Sequence, residues 1–91
     1  MSAQVAKRIV VTGRVQGVGF RYALADEARS RGLSGWVRNR RDGTVEAVVC
    51  GPAAEVAAIA EWARRGPPAA KVESIEIEEA QGSFDGFEIT H

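Results

Sequence analysis

Apolar residues alternate from Lys7 to Val15, with Ile9, Val11 and Val15 on one face and Val10 and Thr12 on the other. The β-branched bias of that run predicts a largely buried strand. From Phe20 the period lengthens: Leu24, Ala25 and Ala28 form an inner stripe that predicts a helix over Phe20–Arg31, with Gly32 stopping it as a C-terminal cap. Leu33–Arg40 reads as a second strand, Asp42-Gly43 as a hairpin turn and Thr44–Cys50 as a third strand paired with the second; Gly51-Pro52 ends that hairpin. Val56, Ile59, Ala60 and Ala63 place a second helix over residues 53–65, with Glu61 and Arg64 at i,i+3 on its wetter side, and Gly66-Pro67-Pro68 breaks it. Val72–Glu79 has the pattern of a half-exposed fourth strand, and Phe87–Thr90 adds a short fifth.

The order βαββαβ, closed by two right-handed crossovers, predicts an α+β fold. It is a ferredoxin-like two-layer sandwich: one antiparallel sheet with both helices on one face. In that topology the first and second strands run parallel with the third between them, so their C-terminal ends share one edge. The loop after the first strand therefore meets Arg38-Asn39-Arg40, roughly 10 Å away across two strand spacings.

Residues 1–91 suffice for a single domain with one core, too small for a cleft between lobes, so the working surface is a loop or an edge. The composition, 45% apolar and 26% charged, is ordinary for a soluble globular chain and argues against disorder. No apolar run approaches the ~20 residues of a membrane span, and Met1-Ser2-Ala3-Gln4 lacks the features of a secretory signal. With a single cysteine, Cys50, and no internal disulfide possible, a cytoplasmic location is expected. Net charge is zero, yet residues 1–50 hold nine Lys/Arg against four Asp/Glu, and residues 51–91 hold three against eight. The first half can attract a small anion, whereas zero overall charge argues against nucleic-acid binding through many phosphate contacts.

Gly13-Arg14-Val15-Gln16-Gly17-Val18-Gly19-Phe20-Arg21 carries the chemistry. It ends a strand, bends through glycines that allow positive φ, and opens a helix, so that successive N–H groups converge where the helix dipole is positive. Glycines alone serve a tight turn equally well, and Arg21 tips the reading. A cation in the first turn opposes the dipole by roughly 0.3–1 kcal/mol, whereas its planar fork matches two phosphate oxygens. Tyr22 stands where a dinucleotide fingerprint needs its third glycine, and the Gly-Lys-Ser/Thr of a Walker loop is absent. Asn39, depleted in strands and standing just before a turn, serves by itself as a turn former; predicted beside this loop, its amide carries both a donor and an acceptor, which suits it to orienting a water.

The chain resembles the acylphosphatase family through that loop, through Gly32-Leu33-Ser34-Gly35-Trp36-Val37-Arg38-Asn39, and through Asp42-Gly43-Thr44-Val45-Glu46 and Gly51-Pro52. The resemblance implies hydrolysis of small acyl phosphates to a carboxylate and inorganic phosphate, the latter a competitive inhibitor as well as a product. It implies that Arg21 binds the phosphoryl group, that Asn39 positions the attacking water, and that the backbone donors of Gln16, Gly17, Val18, Gly19 and Phe20 complete the cradle. No cofactor and no metal are expected, and the partners implied are the substrate alone, with no nucleic acid, no membrane and a monomeric chain. A carboxylate, with a conjugate acid of pKa near ~4, leaves without a general acid. Positioning and electrostatic stabilisation of a loose transition state carry the rate. The substrate's own phosphate oxygen is an available proton acceptor, and no side chain stands out as a base.

Other groups read differently. Cys50 lacks the arginine that closes a cysteine phosphatase loop and reads as a core thiol; His91, the last residue, pairs with it in no metal site. Trp36 and Trp62 read as core or edge packing, and Arg38, Arg40 and Arg41 as a solvated face that can steer an anion. The alternatives are a non-catalytic small-anion or RNA-binding ferredoxin-like module, for which suitably placed aromatics are too few, and a carbamoyl-phosphate-hydrolysing relative.

Overall fold

The computed structural model describes residues 3–91. Its elements are β1 (Gln4–Arg14), α1 (Phe20–Ser30), β2 (Ser34–Asn39), β3 (Val45–Pro52), α2 (Ala53–Ala63), β4 (Lys71–Glu79) and β5 (Phe87–Ile89). The sheet order is β4-β1-β3-β2-β5. The first four strands pair antiparallel, as the pattern predicts, while β5 lies parallel to β2 and makes the sheet mixed. Arg29, in the last turn of α1, holds that added strand: its Nε and Nη2 donate to the Phe87 carbonyl at 3.2 and 2.8 Å. No helix among the described residues is long and apolar enough to cross a membrane.

Both helices bury one stripe against the same sheet face. Phe20, Leu24, Ala25 and Ala28 of α1 and Val56, Ile59, Ala60 and Ala63 of α2 join Ile9, Val11, Val37, Val45, Ala47 and Val49 in one core. Each fully buried Val, Leu, Ile or Phe there contributes about 1.5–3 kcal/mol relative to exposure.

Two details depart from simple alternation. β1 begins at Gln4, earlier than its apolar pattern, because Gln4 pairs with Pro52 and the Ala53 amide donates to the Ala3 carbonyl at 2.9 Å. β3 accordingly runs two residues past Cys50, and Pro52, extended at ψ 138° with no amide to donate, hands the chain directly to α2. In β4, Val72 and Ile75 are three apart yet both pack on the core, since the register shifts between Thr12 and Gly13 and leaves Glu73 without a partner.

The opposite sheet face is also covered over β3. Val48 is buried between its cross-strand neighbours Arg8 and Trp36, and Glu46 is only 5% exposed. Glu46 accepts from Arg8 Nε at 2.5 Å and from Arg38 Nε at 2.7 Å, while the Arg38 guanidinium lies 5.4 Å from the Trp36 ring centre. Burial alone pushes the Glu46 carboxyl up, but the two arginines outweigh it and hold it below its ordinary value. Arg38 is exposed, as its reading on a solvated face expects, but its charge is paired with Glu46 rather than free to steer an anion.

Candidate active site

β1 and β2 run parallel on either side of β3, so the loop after Arg14 and the end of β2 at Asn39 meet at one edge of the sheet. A cavity of about 160 Å³ lies between them. Val15, Gly17, Gly19 and Phe20 line it from the loop, Arg21 and Tyr22 from the first turn of α1, and Asn39 from across the sheet. That volume is below the ~300–1,000 Å³ of a site for a drug-sized ligand and suits a compact oxyanion with a water.

The loop backbone is built for close approach. Gly17 and Gly19 stand at φ 74° and 80°, and a Cβ at either position would meet no heavy atom within 4 Å, so conformation rather than crowding calls for glycine. Gly19 is the N-cap of α1; no side chain caps the helix and no acidic residue occupies its first turn. The orphan N–H groups of that turn and the positive end of the dipole are thus left to a ligand. The whole start of α1 is fixed from below: the Phe20 ring, 1% exposed, packs 5.6 Å from Trp62.

Arg21 is half-buried in this cavity and, among the described residues, has no carboxylate within ion-pair reach. Arg8, Arg31, Arg38, Arg40 and Arg64 have acidic partners; Arg14, Arg29, Arg41 and Arg65, like Arg21, have none among the described residues, but none of those four lines the cavity. Asn39 lines the same cavity, and its buried Oδ1 has no hydrogen-bond partner among the described residues. Leaving such an acceptor unpaired costs about 1–3 kcal/mol, a penalty that a bound donor such as water removes.

Of the residues expected from sequence, Arg21, Asn39, Gly17, Gly19 and Phe20 line the cavity; Gln16 and Val18 do not. Val18 packs against the core. The Gln16 side chain turns the other way, its Nε2 donating to the carbonyls of Arg40 at 2.6 Å and Thr44 at 2.9 Å. Sequence reasoning missed that contact, along with Tyr22 as a wall of the cavity and Glu46 as the anchor of Arg38. A carboxylate inside the apolar run Val45–Val49 was the available sign for Glu46.

A larger cleft lies elsewhere. It measures about 540 Å³ and sits between segment 80–84 and the far end of β3, where Cys50 lines it. Cys50 is half-buried there rather than in the core, because residue 50 falls on the side of β3 opposite Val49. Burial pushes its thiol up, and five residues of strand separate it from Val45 by roughly 17 Å. No arginine or lysine lines this cleft, so it lacks the cation that an anionic substrate needs. Among the described residues no group of three or more His, Cys, Asp or Glu is placed to hold a metal ion.

The model of the family described as acylphosphatase matches residues 7–89. An acylphosphatase of Anaeromyxobacter dehalogenans is 52% identical over 91 residues, covering 98% of each chain. One of Azorhizobium caulinodans is 58% identical over 83 residues, covering 89% of each. The crystal structure of acylphosphatase from Bacillus subtilis superposes with a TM-score of 0.91 at 42% identity, over 96% of this chain and 99% of that one.

Proposed function

The chain belongs to the acylphosphatase family, and from that premise we propose that Arg21 and Asn39 divide the hydrolysis of an acyl phosphate between them. Arg21 takes the phosphoryl group as a bidentate partner, helped by the backbone N–H groups of the loop and of the first turn of α1. Asn39 holds the attacking water. The observation that carries this division is that Asn39, whose buried Oδ1 is unpartnered among the described residues, lines the same cavity as an arginine without a carboxylate.

The water oxygen bonds to phosphorus as the bond from phosphorus to the carboxyl oxygen breaks, and the electron pair leaves with the carboxylate. No His, Asp or Glu lines the cavity, so the water's proton passes to a phosphoryl oxygen of the substrate. Charge spread over the phosphoryl oxygens in a loose transition state is met by the guanidinium and the N–H cradle. The products are a carboxylate and inorganic phosphate, and the latter competes for the same cradle. No metal or cofactor takes part in this scheme.

The reading extends to a chain that works as a monomer; zero net charge and a lone cysteine support a cytoplasmic enzyme without a nucleic-acid partner. The family match and relatives of the chain's own length do not favour a non-catalytic anion- or RNA-binding module or a carbamoyl-phosphate-hydrolysing relative. Hydrolysis of benzoyl phosphate by the purified protein tests the proposal. Turnover is expected in the wild type and its loss in Asn39→Ala; an inactive wild type, or full activity in the variant, refutes it.

A further inference from the structure

We propose that the Gln16 side chain is a positioning residue, which sets the distance between the bound phosphoryl group and the water held by Asn39; the inference rests on the roles assigned above to Arg21 and Asn39. Gln16 lies in the loop that would cradle the phosphoryl group, yet its carboxamide reaches away from the cavity to the hairpin between β2 and β3. Both hydrogens of its Nε2 are used, on the Arg40 carbonyl at 2.6 Å and the Thr44 carbonyl at 2.9 Å. Two acceptors fix the amide in orientation as well as distance.

The place of attachment matters. Arg40 and Thr44 form the closing rung of the hairpin, the Arg40 amide donating to the Thr44 carbonyl at 2.9 Å, and the next rung is Asn39 opposite Val45. Gln16 is therefore bonded one residue beyond Asn39, while its own backbone leads directly into Gly17 and Gly19. Among the described residues it makes the only side-chain hydrogen bonds between the loop 15–19 and this hairpin. Val15, Val18 and Phe20 anchor the loop on the core, but Gly17 and Gly19 between them are exposed at positive φ, and attack on phosphorus tolerates little error: a displacement of 1 Å costs about a hundredfold in rate. The clamp joins the two halves of the site across elements that are remote in sequence.

The test is a double-mutant cycle of Gln16→Leu and Asn39→Ala, read by kcat on benzoyl phosphate, the inhibition constant of inorganic phosphate, and Tm. Gln16→Leu alone should lower kcat by about 10- to 100-fold and leave phosphate inhibition within about twofold, since Arg21 and the loop amides still bind the anion. In the Asn39→Ala background the same substitution should lower the residual rate by less than about threefold, because the group it positions is gone. The proposal is overturned if Gln16→Leu keeps kcat within about threefold of wild type, if phosphate inhibition weakens in step with kcat, or if the loss persists undiminished beside Asn39→Ala. Should Gln16→Leu not fold, Gln16→Asn, whose shorter amide cannot span the gap, carries the same expectations. A wild type inactive on benzoyl phosphate would instead remove the roles on which the clamp depends.

Discussion

Glu46 accepts a hydrogen bond from Arg38 Nε at 2.7 Å from inside the sheet, one residue away from the rung that places Asn39. The same carboxylate accepts from Arg8 Nε at 2.5 Å, so a buried charge ties β1, β2 and β3 together on the face remote from the helices. With its carboxyl held below the ordinary value, the group stabilises the fold fully above its unfolded pKa. That contribution is lost as pH falls through the lowered folded value.

Glu46→Gln should therefore cost about 1.5–3 kcal/mol near neutrality, the range for hydrogen bonds to charged groups, and should flatten the acid limb of the stability curve. Urea unfolding from pH 7 down to pH 3 would show wild type losing stability faster than the variant below about pH 5. Asp42, whose carboxyl is lowered first by its bonds to Thr44, is common to both proteins and cancels in the difference. Parallel curves would mean that Glu46 carries no linked proton.

Arg21→Lys should be nearly inactive although the charge is kept, since a point cation cannot reproduce a planar fork. In steady-state assays with benzoyl phosphate it should retain less than about a tenth of wild-type kcat/KM, a loss above ~1.4 kcal/mol. Retention of more than that would make Arg21 a structural residue.

Phosphate binding separates the two catalytic roles. A ligand at a hundredfold excess over Kd stabilises the native state by about 2.7 kcal/mol, which raises Tm by roughly 10 °C or more in a domain of this size. Wild type and Asn39→Ala should both show this shift at fixed ionic strength, and Arg21→Ala should show none. A folded Asn39→Ala protein that ignores phosphate would contradict a residue that holds only water.

Excess chelator should leave the rate unchanged, because a carboxylate leaving group needs no Lewis acid. The check is benzoyl phosphate turnover before and after dialysis against chelator. Loss of activity that returns on adding a divalent metal would refute the scheme.

Much of the fold could be read along the chain because its elements carry clean local signals. The inner stripe of α1 at Leu24, Ala25 and Ala28, the Asp42-Gly43 turn and the stripe of α2 at Val56, Ile59, Ala60 and Ala63 all lie where the periodicity puts them. The edges of elements were less legible: Gln4 precedes the apolar alternation and Gly51-Pro52 reads as the end of a hairpin, and Gln4 and Pro52 become paired strand residues only because β1 and β3 extend one another.

The sequence by itself determined the parts of the site that depend on local backbone chemistry: glycines able to take positive φ, a helix opening without an acidic residue, and an arginine in its first turn. It also implied, through strand order, that Asn39 faces that loop. Only the tertiary structure decided what pins these parts together. Gln16 and Thr44 are 28 residues apart and Arg8 and Glu46 are 38 apart, and whether such side chains meet depends on strand register and on which face each occupies. A polar residue in a loop has the same local pattern whether it points into solvent, at a ligand or at a neighbouring hairpin. Packing alone chooses among these directions.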